Sequence, residues 1–170
     1  MQQSFTLADI EQLTGVPVDR LRYILDSRIL PGSRNSARPR IVSPGRGVAR
    51  RFLGIEAFGI VVAVLMLDAG VKRETLKRCL DLLTEYAKGT KDISTTMLSQ
   101  AYSQPGAVAL ELGDGQNVRL LFDPAQPPIA RATPTSGEWI QVNTRARLRD
   151  YAPLVTIRID VSKLRDRLQR

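Results

Sequence analysis

Hydrophobic residues recur at helical spacing through the first thirty positions. Leu7, Ile10 and Leu13 form one stripe, and Leu21, Ile24 and Leu25 form a second. Between them, Thr14-Gly15-Val16 predicts a tight turn, because Gly15 tolerates the positive φ that such a turn often needs. Thr6 is placed to cap the first helix, with Asp9 three residues on completing an acidic variant of the capping box. Pro17 falls at or beside the first position of the second helix, where its missing N–H costs little. Arg20, Arg22 and Tyr23 fall mostly on the faces away from the apolar stripe.

Pro31 ends this helical region. The segment from Pro31 to Gly47 is rich in Gly, Pro, Ser and Arg, and is long for a structureless connection inside a compact domain. Ile41-Val42 and Val48 to Phe52 predict two short strands around Ser43 to Gly47, a hairpin with a basic tip. Gly54 to Ala69 predicts a third helix, apolar nearly all round and therefore buried on most sides, with Gly70 as its stop. Its apolar stretch, Ile55 to Leu67, is short of the roughly twenty residues that span a bilayer. A fourth helix is expected from Lys72 to Ala87 on the stripe Leu76, Leu80, Leu83, Ala87, and a short fifth from Ser94 to Tyr102.

The pattern then changes period. Ala107 to Leu112 and Asn117 to Phe122 flank Gly113-Asp114-Gly115, a strong hairpin signal. A Pro-rich loop from Asp123 to Gly137 follows, then strands over Trp139 to Val142 and Leu154 to Asp160. In the last of these, Val155, Ile157 and Ile159 alternate with Thr156, Arg158 and Asp160, as in a half-buried strand. Ser162 is placed to cap a terminal basic helix from Lys163 to Gln169. No internal repeat is present. The fold class expected is α+β, with residues 1–88 forming an N-terminal helical unit and residues 89–170 a small α+β domain, the boundary falling near Lys88 to Asp92.

Charge adds a partner class. The chain has 170 residues, 43% of them hydrophobic, a net charge of +8 and a pI near 10.2. From Ser27 to Gly54 the only charged residues are arginines: Arg28, Arg34, Arg38, Arg40, Arg46, Arg50 and Arg51. A basic balance favours a polyanionic partner, and arginine suits bidentate contact with phosphates and base edges. An arginine-rich proteome would give the same net charge without any such partner. Cys79 is the single cysteine and histidine is absent, so an intramolecular disulfide is excluded and a Cys/His metal site has almost no ligands. No metal or cofactor is expected. The polar start, Met1-Gln2-Gln3-Ser4, lacks a signal-peptide pattern, and a cytoplasmic protein without membrane contact is expected.

Several motifs stand in a familiar order: Phe5-Thr6-Leu7, Leu13-Thr14-Gly15-Val16, Leu21-Arg22-Tyr23, Ile29-Leu30-Pro31, Gly47 to Phe52 with Arg50 inside it, and Leu67-Asp68-Ala69-Gly70-Val71 followed by Leu76. Across about residues 5 to 84, the chain resembles the winged helix-turn-helix head of the MerR family of bacterial transcription regulators. It departs from the family at Ile24 and Val48, where aromatics are usual, and in a longer loop before the wing. The resemblance implies that Arg22 and Tyr23 hold phosphates beside the recognition helix. It also places Val18, Asp19 and Arg20 at the helix end that reaches base edges, where Arg20 can match guanine O6 and N7. Arg46, Arg50 and Arg51 would touch the backbone or minor groove from the wing. The competing reading is a solvated arginine face with Tyr23 packed on the domain, and for Arg34, Arg38 and Arg40 a merely charged loop serves equally well.

Other candidates carry less chemistry. Cys79 lies near the place where metal-sensing relatives carry a thiolate, but they need two or more, so a buried inert thiol or an inter-subunit thiolate pair are the alternatives. Trp139, Phe122 and Tyr151 read as core or as the lining of a small-molecule pocket. Glu111, Asp114, Asp123, Glu138 and Asp160 show no paired catalytic spacing, and Gly113-Asp114-Gly115 is not a phosphate loop, since no helix follows it. No enzyme is expected. The leading expectation is a homodimeric, sequence-specific regulator of double-stranded DNA, because a single helix reads few base pairs. The family's coiled coil is missing, which leaves the third and fourth helices or the C-terminal sheet as the dimer interface. The alternatives are a protein-interaction module such as an antitoxin or phage accessory factor with weak DNA binding, and a regulator whose C-terminal domain binds a small-molecule effector.

Overall fold

The computed structural model describes residues 4–27, 29–30, 50–85, 96–123 and 137–169. Among them the chain forms six helices and two antiparallel sheets, a mixed α+β fold. It opens with a two-residue strand β1 (Ser4–Phe5) and the helices α1 (Leu7–Thr14) and α2 (Val18–Asp26). The capping box at α1 is complete: Asp9 N–H donates to Thr6 Oγ1 at 3.2 Å, and Thr6 N–H donates to Asp9 Oδ2 at 2.7 Å. These bonds hold the Asp9 carboxyl below its usual range, the Thr6 backbone bond contributing most.

Strand β2 (Phe52–Leu53) pairs with β1, Phe5 opposite Phe52, and runs directly into α3 (Gly54–Asp68). The wing strands expected over Ile41-Val42 and Val48 to Phe52 lie outside the described residues except for positions 50–52, so the hairpin itself is not described. Helix α3 is the hub. Phe58, Ile60, Val61, Val62, Val64 and Met66 are all buried, and α3 packs against β1, β2, α2, α4 (Arg73–Leu83), α5 (Met97–Ser103) and α6 (Val161–Leu168). A helix with neighbours on every side needs apolar residues on every side, which explains its uniform sequence. It ends at Asp68, with Gly70 at φ 88° permitting the reversal. Gly54, at its start, is required by space: a Cβ there would lie 2.8 Å from Tyr102 Cζ, with the Tyr102 hydroxyl closer still.

The second sheet has five strands in the order β6-β5-β4-β3-β7: β3 (Val108–Gly113), β4 (Asn117–Phe122), β5 (Trp139–Gln141), β6 (Arg147–Leu148) and β7 (Thr156–Asp160). The hairpin between β3 and β4 forms as expected, with Asp114 at φ 51° and Gly115 at φ 69°. Val108, Leu110 and Leu112 pack toward the helices. On the other face of β3, Glu111 is buried at 4% exposure and is bridged by Arg119 at 2.7 Å and Arg158 at 3.1 Å.

Element ends differ from the sequence expectation in informative ways. Helix α4 stops at Leu83, and α5 starts at Met97 with Thr96 as its cap. Strand β7 begins at Thr156, not Leu154, because Leu154 and Val155 donate their N–H groups to Asp114 Oδ1, each at 3.0 Å. The terminal helix begins at Val161 and is capped by Asp160, not Ser162: Asp160 Oδ1 accepts from Lys163 N–H at 3.4 Å and from the Ser162 hydroxyl at 2.5 Å. A carboxylate is the stronger acceptor, so it takes the capping position and Ser162 supports it.

The boundary expected near Lys88 to Asp92 lies outside the described residues. On either side of it the hydrophobic core is continuous, running from Phe5 through α3 to Leu168. Helix α6 closes it by packing on α1 and α3, and Arg165 is buried within that closure, donating to the carbonyls of Gln104 and Gly106, the latter at 2.8 Å.

Candidate nucleic-acid interface

Helix α2 is oriented by its buried side. Leu21 and Ile24 are fully buried against α3, which turns Arg22 and Tyr23 to solvent. The turn before it is closely tied. Gly15 sits at φ 77° and donates to the Glu11 carbonyl at 2.7 Å, the Thr14 hydroxyl donates to the Ile10 carbonyl at 2.6 Å, and Val16 is buried. Pro17 is the N-cap residue of α2 and offers no side-chain acceptor, so Glu11 of the preceding helix supplies one: its Oε1 accepts from Val18 N–H at 3.2 Å. Asp19 adds a second carboxylate at that end, where the helix dipole favours negative charge.

The expected site residues fall into three groups. Among the described residues, Arg22 and Tyr23 stand free of tertiary bonds, Arg22 meeting only Asp19 on its own helix at 3.4 Å and Tyr23 being 46% exposed. Asp19 is exposed beside them and Val18 is half-buried. Arg20, in contrast, is engaged with Asp68 at the end of α3 in a solvent-exposed ion pair. Arg50 and Arg51 are used within the strand pair: Arg50 lies over the Phe52 ring at 5.0 Å, and Arg51 donates to Ser4 Oγ at 2.9 Å and to the Ser4 carbonyl at 3.0 Å. Arg46, with Arg34, Arg38 and Arg40, lies outside the described residues.

Two further cations meet the backbone at either end of α2. Arg73, opening α4, donates to the Ser27 carbonyl just past α2 at 2.9 Å, and Arg167 of α6 donates to the Thr14 carbonyl in the turn at 3.1 Å. The sequence marked α6 as basic but held no local signal for this placement, since the Arg167 contact joins residues 153 positions apart.

Elsewhere the candidates resolve simply. Cys79 is fully buried among apolar side chains, and burial pushes its thiol up to about 12, so it is protonated and unreactive at neutral pH. Trp139 is buried, edge-on to Tyr151 at 5.4 Å and beneath the Arg119 guanidinium at 4.3 Å. An open cleft of about 450 Å³ beside them is lined by Arg119, Glu138, Arg149 and Tyr151 among others. Phe122 does not line it. No helix among the described residues is long and apolar enough to cross a membrane.

The described chain is a mixed α+β protein with a solvent-facing, arginine-bearing helix at its N-terminal end. No family model, curated protein or solved structure matches it.

Proposed function

We propose that this protein is a sequence-specific, double-stranded DNA-binding regulator acting as a homodimer, with α1 and α2 forming the helix-turn-helix of a winged, MerR-like head. The observation that carries the reading is the outer face of α2, where Arg22 and Tyr23 are exposed with no tertiary partner among the described residues, on a helix whose opposite face is locked to the core. A rigid helix offering a guanidinium and a phenol hydroxyl suits phosphate contact. Arg20 adds base readout. Its pair with Asp68 is exposed, so exchanging it for a guanine edge costs little, about 0–1 kcal/mol. Arg73 and Arg167 add positive charge near the two ends of α2. Arg50 and Arg51 reach the backbone only in addition to their contacts with Phe52 and Ser4.

Binding to genomic fragments, measured against salt, tests this. Arg22→Ala lowers affinity across sequences and reduces the slope of log K against log salt by about one phosphate contact, roughly 0.9. Arg149→Ala, which removes the same charge from the exposed residue just after β6, leaves both unchanged. Equal behaviour of the two variants would reduce the interface to bulk charge.

A further inference from the structure

The two edges of the five-stranded sheet are built differently. Strand β6 is two residues long and is flanked by charge: Arg145 precedes it, Arg147 lies in it, paired with Glu138 at 3.6 Å, and Arg149 follows it. Short, charged strands are how proteins blunt an open edge. Strand β7, the opposite edge among the described residues, is five residues long and has no described strand beyond it. Its single cation, Arg158, shares the buried Glu111 carboxylate with Arg119, and its single anion, Asp160, is taken up as the cap of α6. Its approach carries Leu154 at 96% and Val155 at 64% exposure, which with Tyr23 are the exposed large hydrophobic residues among those described.

The backbone of β7 is directed for pairing. Asp114 N–H donates to the Val155 carbonyl at 2.8 Å, so the polar groups of Val155 point toward β3. Alternation sends those of Ile157 and Ile159 the same way, and those of Thr156 and Arg158 outward to the open edge. The side chains alternate too. Ile157 and Ile159 stand opposite Leu112 and Leu110 on the helix-covered face yet are only partly buried, and Val155 continues that row into solvent. The segment is already ordered, because Asp114 holds the N–H groups of Leu154 and Val155 and accepts the Tyr151 hydroxyl. Little ordering entropy is then lost on pairing.

We propose that β7 is a homodimer interface, in which two copies pair antiparallel about a twofold axis with Ile157 opposite Ile157 and Thr156 opposite Arg158. This register lets each Thr156 and Arg158 exchange both outward backbone bonds with the partner, and sets Val155 against Ile159 on the apolar face. Centring the axis on Arg158 would oppose two arginines. Centring it on Ile159 would bring Asp160 and the start of α6 into the ladder, where Asp160 is engaged as a helix cap. The self-complementarity selects a second copy of this chain over a foreign strand. The inference deepens the homodimer part of the reading above, and its test uses no DNA, so either can fail alone.

Light scattering of the full chain, without DNA, is expected to give a dimer mass. On oxidation, Ile157→Cys forms a disulfide-linked dimer, because opposed side chains in a pair without mutual backbone bonds lie closest. Arg158→Cys, diagonal to its own copy in this register, does not, and the buried Cys79 stays silent in both. Thr156→Pro removes an outward N–H and no bond to β3, so the mass halves while the circular dichroism spectrum is kept. A wild-type chain monomeric at every concentration would overturn the interface. So would a dimer in which Ile157→Cys fails to cross-link or Arg158→Cys links equally well. Should Thr156→Pro not fold, the cross-linking pair decides alone.

Discussion

The arginines of α2 and those of the sheet differ in what holds them. Among the described residues Arg22 has only a neighbour on its own helix, whereas Arg119 and Arg158 of the sheet converge on the buried Glu111, and Arg165, on the adjoining α6, is sealed against two backbone carbonyls. Both sets contribute equally to a net charge of +8. Only the first is free to meet a phosphate without dismantling the fold. Composition counts charges, and tertiary structure decides which of them are available. Arg20, Arg50 and Arg51 stand between the two: each is itself exposed, so its contact with Asp68, the buried Phe52 ring or Ser4 is exchanged at little cost.

The two regions share α3. Phe58→Ala, in the middle of α3, is expected to cost about 3–5 kcal/mol. Because the core is continuous, helix circular dichroism and the fluorescence of Trp139, the single tryptophan, which sits in the sheet, should lose their transitions together. Separate transitions would show that the helical and sheet regions unfold independently. Glu111→Gln comes next, at about 1–3 kcal/mol, since two guanidiniums lose their shared anion but Arg158 can still reach water. DNA affinity of that variant should be unchanged. Thr6→Ala, which removes the α1 cap, is expected to cost about 1 kcal/mol. Arg22→Ala should alter stability by less than about 0.5 kcal/mol while weakening DNA binding, the reverse of Glu111→Gln. Finding both variants impaired in the same assay would erase the distinction between free and engaged arginines.

The smallest effect concerns pH. Asp114 is held below its ordinary 3.8, chiefly by the Tyr151 hydroxyl and then by the Val155 and Leu154 N–H groups. A depressed carboxylate contributes stability that is present above the unfolded value and is lost as pH falls through the folded one. Melting temperature should therefore decline below about pH 4, and less steeply in Asp114→Asn, with wild type and variant converging at the acid end. Parallel curves would remove Asp114 from the account of how β7 is held.

Local pattern determined much of this protein. The capping box at Thr6 and Asp9, the turn at Gly15, the all-round apolar α3 and the hairpin at Asp114 were legible because each depends on residues within a few positions of one another. The stripe Leu21, Ile24 likewise set which face of α2 is buried, and so which face carries Arg22 and Tyr23. What only tertiary structure decided involves partners far apart in the chain. Asp68 reaches Arg20 from 48 positions away, Glu111 gathers Arg158 from 47, and Asp114 pins Leu154 from 40. The inward turn of Arg165 and the open edge of β7 belong to the same class. A hydrophobic pattern specifies what must be buried, whereas the partner of a charge or of a strand edge is set by which surfaces the packed core brings together.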